Sequence, residues 1–427
     1  MISVTKSGFQ FEREPLLRPF GFKGGYMREC WQTASMLESK AGTRKVGLCT
    51  QNVLWSDARV YTGHSEAGAN LLMAAVSEYA LKLAGGCSFE SPILFLESIL
   101  EPVHKYAMTI TGNPDLKKTF VLNALVGIDN AAWLMYAAEK ECPGFDTMLP
   151  EVYRPALSCR HDRVAAIPLV SYTVPVSEIV EMVQQGSFFI KIKLGQPGAQ
   201  QEMLEKDMAR LSEIHQAIGH FETPHTANGK LPYYFDANGR YESKESLQRL
   251  IDHTKKIGAF DRIALIEEPF PEHLEIDVRD LGVRIAADES AHTDADALAR
   301  IQMGYGALAL KPIAKTLSMT LKIAKLAHEH HVPCFCADLT VNPILVEWNK
   351  NVAARLAPLP GLTMGLCESN GHQNYRDWQR MVSYHPYPDA HWRVVNNGLW
   401  ELDPDFYEVS GGIFSDSRHY TEMFEQE

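Results

Sequence analysis

Two rhythms of apolar and polar positions divide the chain. From about residue 165 onward, short apolar runs rich in β-branched and aromatic residues recur as AAIPLVSYTV, FFIKIKLG, PYYFDANG, IALIEEPF, VRIAADES, ALALKPIA, VPCFCADL and LTMGLCES. Between several of them lie stretches with helical spacing, such as MLEKDMARLSEIHQAI and TLKIAKLAHEHH. Alternation of this kind reads as βαβ units and a parallel sheet. Eight such runs predict a closed (β/α)8 TIM-type barrel. Residues 1–160 follow a different rhythm. Helical stretches dominate there (EAGANLLMAAVSEYALKLA, TFVLNALVGIDNAAWLMYAAEK), preceded by shorter extended pieces, which predicts an α+β domain. After about residue 380 the chain is rich in Pro, Trp and Tyr, with a hairpin expected at Asn396–Asn397–Gly398. The expected class is therefore α/β, with the barrel over 161–375 and a C-terminal segment, 376–427, packing back on the N-terminal domain.

Composition narrows the partners. A chain of 427 residues suits one barrel plus a smaller domain, and 45% hydrophobic with 22% charged residues is ordinary for a globular protein. The formal net charge of −12 argues against nucleic acid or an anionic membrane as partner, since both need a basic surface. An anionic small substrate stays open, because a bound metal can reverse the local field. The eight cysteines show no CxxC pair, so no zinc site is expected. Cys334 and Cys336, two apart on a strand, should share a buried face. Dispersed thiols suit a reducing cytoplasm. The N-terminus lacks the apolar core of a signal peptide. The longest apolar stretch, Phe120 to Ala138, is broken by Asn123, Asp129 and Asn130, so no membrane span is expected.

The chemistry lies in charges that interrupt the apolar runs. The interior of a parallel barrel should be apolar. Here the C-terminal ends of predicted barrel strands two to six carry Lys191 with Lys193, then Asp236, Glu267, Asp288 and Lys311. That is the end at which barrel enzymes keep their active sites. Lys191 and Lys193 point to one face of their strand. Three carboxylates on consecutive strands would repel one another unless a hard divalent cation lay among them, and Mg²⁺ suits carboxylate oxygens while leaving positions open. Strand six lies opposite strand two in a ring of eight, so Lys311 should face Lys191 and Lys193 across the mouth. A carboxylate substrate would then have an ammonium group on each face of its α-carbon, and one lysine, deprotonated, could take the α-proton.

The ordered set KIKLG, FDANG, IEEP, ADES and LKP resembles the muconate-lactonising, two-lysine branch of the mandelate racemase/muconate lactonizing enzymes in the enolase superfamily. The resemblance covers roughly residues 165–370 by motif. It implies a modified barrel with residues 1–160 as a capping domain. It also implies a Mg²⁺ site of Asp236, Glu267 and Asp288, with Lys193 as base, Lys191 in support and Lys311 as the opposing acid/base. Such sites use a Lys or His base with Mg²⁺. The implied activity is proton abstraction from a carboxylate through an enediolate, by a racemase/epimerase or cycloisomerase. The alternatives are a dehydratase acting on an acid sugar and, more remotely, a non-catalytic metal-binding scaffold. No His stands at the end of strand seven, where the His–Asp branch would place one. The pair of aspartates that dipeptide epimerases carry after strand eight is replaced here by CESNGH. The family is often oligomeric, so a homo-oligomer is expected.

Further residues carry weaker expectations, each beside an ordinary structural reading. Glu368 in CESNG reads as a polar contact with substrate or an electrophilic group, or as a helix N-cap region residue, and Asp338 is a weaker case of the same kind. Glu268 and Glu289 should alternate off the ligand face into structural ion pairs. The family's two cap loops correspond to FGFKGGYMREC and NVLWSDARVYTGH, whose Lys23, Tyr26 and Trp55 are candidate substrate contacts or cap packing residues. The run HEHH, His328 to His331, should close a helix at the far side from the mouth. The segment GHFETPHTANGKLP reads as an inserted lid or interface element, or as a disordered surface loop.

Overall fold

The computed structural model describes residues 1–23 and 25–425. The N-terminal layer is an antiparallel sheet ordered β3-β2-β1-β4, formed by β1 (Ile2–Phe22), β2 (Gly25–Ser39), β3 (Arg44–Gln51) and β4 (Ser88–Phe89). Its extended pieces are longer than the sequence suggests. β1 buries no continuous face, so its apolar alternation is diluted, yet it pairs with β2 from Val4 to Phe22, with register shifts between Val4 and Lys6 and between Pro15 and Phe20. The tip of this hairpin is the first expected cap loop, a two-stranded arm rather than a loop, and its Gly24 lies outside the described residues.

Three helices cover the sheet: Glu66–Ala84, Pro92–Thr111 and Lys118–Glu139. The last is long and apolar enough to cross a membrane, but it is buried in the protein. The polar residues that interrupt it are each engaged. Asn123 donates to the Thr50 carbonyl, Asn130 donates to the Leu48 carbonyl, and Asp129 accepts from the backbone and hydroxyl of Ser318 on the barrel.

The barrel strands are β5 (Arg163–Ile167), β6 (Leu169–Val170), β7 (Ile190–Lys193), β8 (Tyr233–Asp236), β9 (Ile263–Glu267), β10 (Ile285–Ala287), β11 (Ala307–Leu310), β12 (Cys334–Cys336) and β13 (Gly365–Glu368). Each pairs in parallel with its neighbours. β5 and β6 are two halves of one barrel strand interrupted at Pro168, which has no N–H to donate. β5 pairs with β13 and β6 with β7, so the interrupted strand closes the ring. Cys334 and Cys336 are both buried, as their spacing predicts.

The opening left where the two halves diverge is filled from the C-terminal segment. β14 (Val395–Asn396) and β15 (Leu399–Glu401) form a hairpin across Asn397 and Gly398, at φ 50° and 73°, the left-handed pair that a two-residue turn of this kind requires. β15 runs antiparallel to β5. This part of the tail therefore completes the barrel, whereas the sequence reading sends it to the N-terminal domain. The last residues do reach that domain, through Lys45 with Asp416 and His419 with Glu12.

The inserted segment, residues 219–232, follows the helix Gln200–Ile218 and leads into β8. It lies at the N-terminal ends of the strands, where Thr226 pairs with Leu362 and the Ala227 N–H donates to Gly361. It does not cover the mouth: a helix-to-strand connection in a βα barrel ends on the opposite face. His328 to His331 close the helix Leu317–Glu329 and are exposed.

Candidate active site

The barrel places the ionisable side chains by register. Lys193 on β7 pairs with Asp236 on β8, and Asp236 with Glu267 on β9. Asp288 follows the end of β10. Asp236, Glu267 and Asp288 have no solvent exposure. Lys191 Nζ lies 2.9 Å from Asp236 Oδ2, 3.2 Å from Glu267 Oε2 and 3.0 Å from Glu368 Oε2, over the face of Tyr234. Lys193 donates to Asp236 Oδ2 at 2.5 Å and to Asn238 Oδ1 at 2.6 Å. From the far side Lys311 reaches Asp288 Oδ2 at 2.5 Å. The carboxylate row is thus held at one end by the lysines of strand two and at the other by the lysine of strand six.

Burial and charge compete at each group. Burial alone would raise the Asp236 carboxyl, but Lys191 and Lys193 outweigh it and hold it at about 2. Burial opposes the ionised Asp288 too, and Lys311 and Lys315 outweigh it, so its pKa falls. Glu267 goes the other way, to about 7. Burial dominates there and the Asp288 charge adds to it, while Lys191 opposes. Burial works against the charged forms of Lys191 and Lys311, yet the facing carboxylates raise both.

The donor set fits a hard divalent cation. One ligand atom each from Glu267, Asp288 and Glu289 can lie within 4.8 Å of one another, all buried. Asp288 Oδ1 and Glu289 Oε2 are buried without a hydrogen-bond partner. Carboxylate oxygens with no N–H donor suit Mg²⁺ better than a softer metal. Asp236 adjoins Glu267 in register but stands outside this convergent trio, because its Oδ2 is turned to the two lysines. Glu289 is inside it, contrary to the expectation from strand alternation. β10 ends at Ala287, so Asp288 and Glu289 lie on turning chain where period two no longer applies. Glu289 Oε1 also meets Lys23 at 2.8 Å and Asn238 Nδ2 at 2.9 Å. Glu268 does leave the face. It turns away at φ 40° and accepts from the Asp288 and Ser290 N–H groups and the Ser290 hydroxyl, so it braces the Asp288 turn by hydrogen bonds rather than ion pairs.

Glu368, expected as a substrate contact, is 3% exposed and lines the same cavity as Lys191, Lys193 and Asp236. Its Oε2 takes Lys191 and the Asp338 N–H, and its Oε1 takes Asn370. Asp338 is buried and accepts from the Asn370 and Val341 N–H groups. Of the cap residues, Trp55 lines the small catalytic cavity, with its ring centroid 4.5 Å from Lys311 Nζ and its indole N–H 3.4 Å from Asp288 Oδ2. Lys23 and Tyr26 line a larger neighbouring cavity instead. Lys23, its side chain 10% exposed, ties the hairpin tip to both the Trp55 carbonyl and Glu289. Burial would lower its pKa, but Glu289 and Glu272 hold it up at about 12.

Two site residues escape the sequence reading. Lys315, fully buried, donates to the Asp288 and Ala291 carbonyls and lies 3.2 Å from Asp288 Oδ1. Its signal is a second lysine four places after Lys311 in KPIAK, on chain predicted to be leaving the strand. Asn238 stands within FDANG, and its link between Lys193 and Glu289 depends on a left-handed backbone at φ 45°.

Comparison with known proteins agrees with this fold. The family described as "Enolase C-terminal domain-like" matches residues 176–394. The chain belongs to the enolase superfamily. That match carries the mandelate racemase/muconate lactonizing type of barrel, and solved structures repeat the whole architecture. A mandelate racemase/muconate lactonizing enzyme from Roseiflexus sp. superposes with a TM-score of 0.64 at 16% identity, over 95% of this chain and 96% of that one. A dipeptide epimerase from Enterococcus faecalis V583, solved with Mg and the dipeptide L-Leu-L-Tyr, gives 0.60 at 17% identity, over 86% and 90%. An N-succinyl Arg/Lys racemase from Bacillus cereus ATCC 14579 gives 0.61 at 15%, over 88% and 89%. At these identities the superfamily chain shares their fold. No curated protein matches it in sequence.

Proposed function

We propose that the protein is a Mg²⁺-dependent enzyme of the two-lysine branch, which removes the α-proton of a small carboxylate and acts as a racemase/epimerase or cycloisomerase. The observation that carries this reading is the row of buried carboxylates gripped from opposite sides by Lys191 with Lys193 and by Lys311. Asp236, Glu267 and Asp288 would hold the cation, and Glu289 stands close enough to join them. Bound there, Mg²⁺ would supply Lewis-acid stabilisation of the charge that develops on the substrate carboxylate. Lys193 is the base: its side chain is 11% exposed, the most open of the three lysines toward the mouth. Asn238 and Asp236 aim its amine. Lys191 sits deeper and screens the carboxylates. Lys311, held between Asp288 and the Trp55 face, returns the proton to the opposite side. Trp55 and the hairpin tip exclude water from the reacting carbon.

Solvent exchange tests this. In D₂O with Mg²⁺ and a panel of carboxylates, the wild-type protein should exchange the α-proton with inversion or ring closure. Lys193→Ala should lose exchange while Mg²⁺ affinity stays nearly intact. Exchange at the wild-type rate in that variant would remove Lys193 as base, and loss of water to a 2-keto product would replace the isomerase by a dehydratase.

A further inference from the structure

The catalytic cavity is small, about 30 Å³. It has room for the carboxylate and α-carbon of a substrate and little else. Beside it, beneath the tip of the β1–β2 hairpin, lies a second cavity of about 500 Å³, a size typical of sites for whole small molecules. Phe20, Phe22 and Leu169 line both, so the two share one apolar wall. Anything bonded to the reacting carbon on that side extends into the larger space.

The larger cavity is also lined by arginines that make no salt bridge among the described residues, although the buried Asp207 carboxylate lies close enough to feel the Arg240 charge. The stem of Arg240 lies across Gly195, whose left-handed backbone (φ 80°) leaves no room for a Cβ: an added one would fall 2.5 Å from the arginine Cβ and Cγ. Arg240 Nε donates to the Gly195 carbonyl at 3.3 Å, and among the described residues its two Nη groups have no protein acceptor. Arg18 lines the same cavity from the exposed hairpin. Lys23 is already paired with Glu289. The acidic lining residue Glu178 stands in the first turn of the helix Val176–Gln184, where the helix dipole favours it.

We infer that the substrate is a dianion: a carboxylate whose α-carbon bears a mainly apolar arm, lodged beneath the hairpin tip and ending in a second anionic group bound by Arg240. This rests on the proton-abstraction reading for the headgroup, while the arm and its charge come from the cavity. A guanidinium fork suits a carboxylate or phosphate end, and it discriminates because an uncharged end would leave the half-buried Nη groups without an acceptor.

Calorimetry in Mg²⁺ buffer with matched probes tests the inference. Adipate, suberate and sebacate are compared with hexanoate, octanoate and decanoate. At one length or more the diacid should bind at least about tenfold tighter than its monoacid. Arg240→Met should erase that preference and leave monoacid binding unchanged, with Arg240→Gln as the second variant should the first melt early. Equal binding of diacids and monoacids, or a preference that survives both substitutions, overturns the proposal. Solvent exchange run in parallel separates the two readings. A diacid preference without any α-proton exchange retires the proton-abstraction reading alone, and exchange without the preference retires the dianion alone.

Discussion

At the scale of single residues, the site is decided by what each charged group has as neighbour. Asp236 is fully buried and shared by two lysines, which hold it ionised against the cost of burial. Asp236→Asn removes one anionic ligand and leaves both ammonium groups facing a neutral amide. Mg²⁺ affinity measured by calorimetry should fall at least about tenfold, since a cation site of this type gains its affinity from ligand charge. Unchanged binding would transfer the ligand role to the trio of Glu267, Asp288 and Glu289. Lys315 illustrates how a group can act through another. It holds the Asp288 turn by two carbonyl contacts, and Lys315→Met leaves those carbonyls and one face of Asp288 unpartnered in a dry site.

At the scale of elements, the structure joins cap and barrel through a few side chains at the hairpin tip. Lys23, on a left-handed backbone at φ 47°, reaches from the β1–β2 turn to the Trp55 carbonyl and to Glu289. A second ion pair, Lys117 with Glu272, crosses the same junction, and Glu272 is also bound by His292. Removing Lys23 leaves the buried Glu289 charge without this partner, at a cost of up to about 3 kcal/mol. Lys23→Met should therefore loosen the tip over the mouth. We expect faster quenching of Trp55 fluorescence by iodide and a several-fold rise in KM with a smaller change in kcat. Quenching identical to wild type would mean that apolar packing of Phe20 and Phe22, not the ion pair, keeps the tip closed.

At the scale of the whole molecule, the N-terminal layer is also fastened to the barrel by Asp129. This buried carboxylate on the helix Lys118–Glu139 accepts from the N–H and hydroxyl of Ser318, at the start of a barrel helix. Burial raises its pKa to about 7, and its hydrogen bonds with Ser318 offset only part of that. The folded protein therefore keeps this proton to higher pH than the unfolded chain does. The associated stability is fully present below the ordinary aspartate range and is lost as pH rises toward 7. The melting temperature of the wild type relative to Asp129→Asn should decline between about pH 4 and pH 7. A constant difference across that range would mean that Asp129 is ionised throughout. The same large scale limits what could be read from the chain. The barrel was legible because its strands are short apolar runs, and strands two to six end in charges that a buried strand has no other reason to carry. The route of the C-terminal hairpin was not, because β15 fills an opening that exists only once Pro168 has split the first barrel strand. The inserted segment was equally open to several readings, since its own residues do not say which end of the barrel they cover.

Sequence alone determined the order of the chemistry: two lysines, three acids and a lysine on successive strands, and hence a metal-type site flanked from both sides. Period-two geometry and strand order are local rules, and they survive folding. The tertiary structure alone decided which groups face one another. It brought Glu289 into the carboxylate cluster, because side-chain direction beyond a strand's last residue follows the turn and its neighbours, and it set Glu368 against Lys191 across the barrel. It also opened the large cavity at Arg240 beneath the hairpin tip, since a cavity is a property of several distant segments packed together and is written in none of them singly.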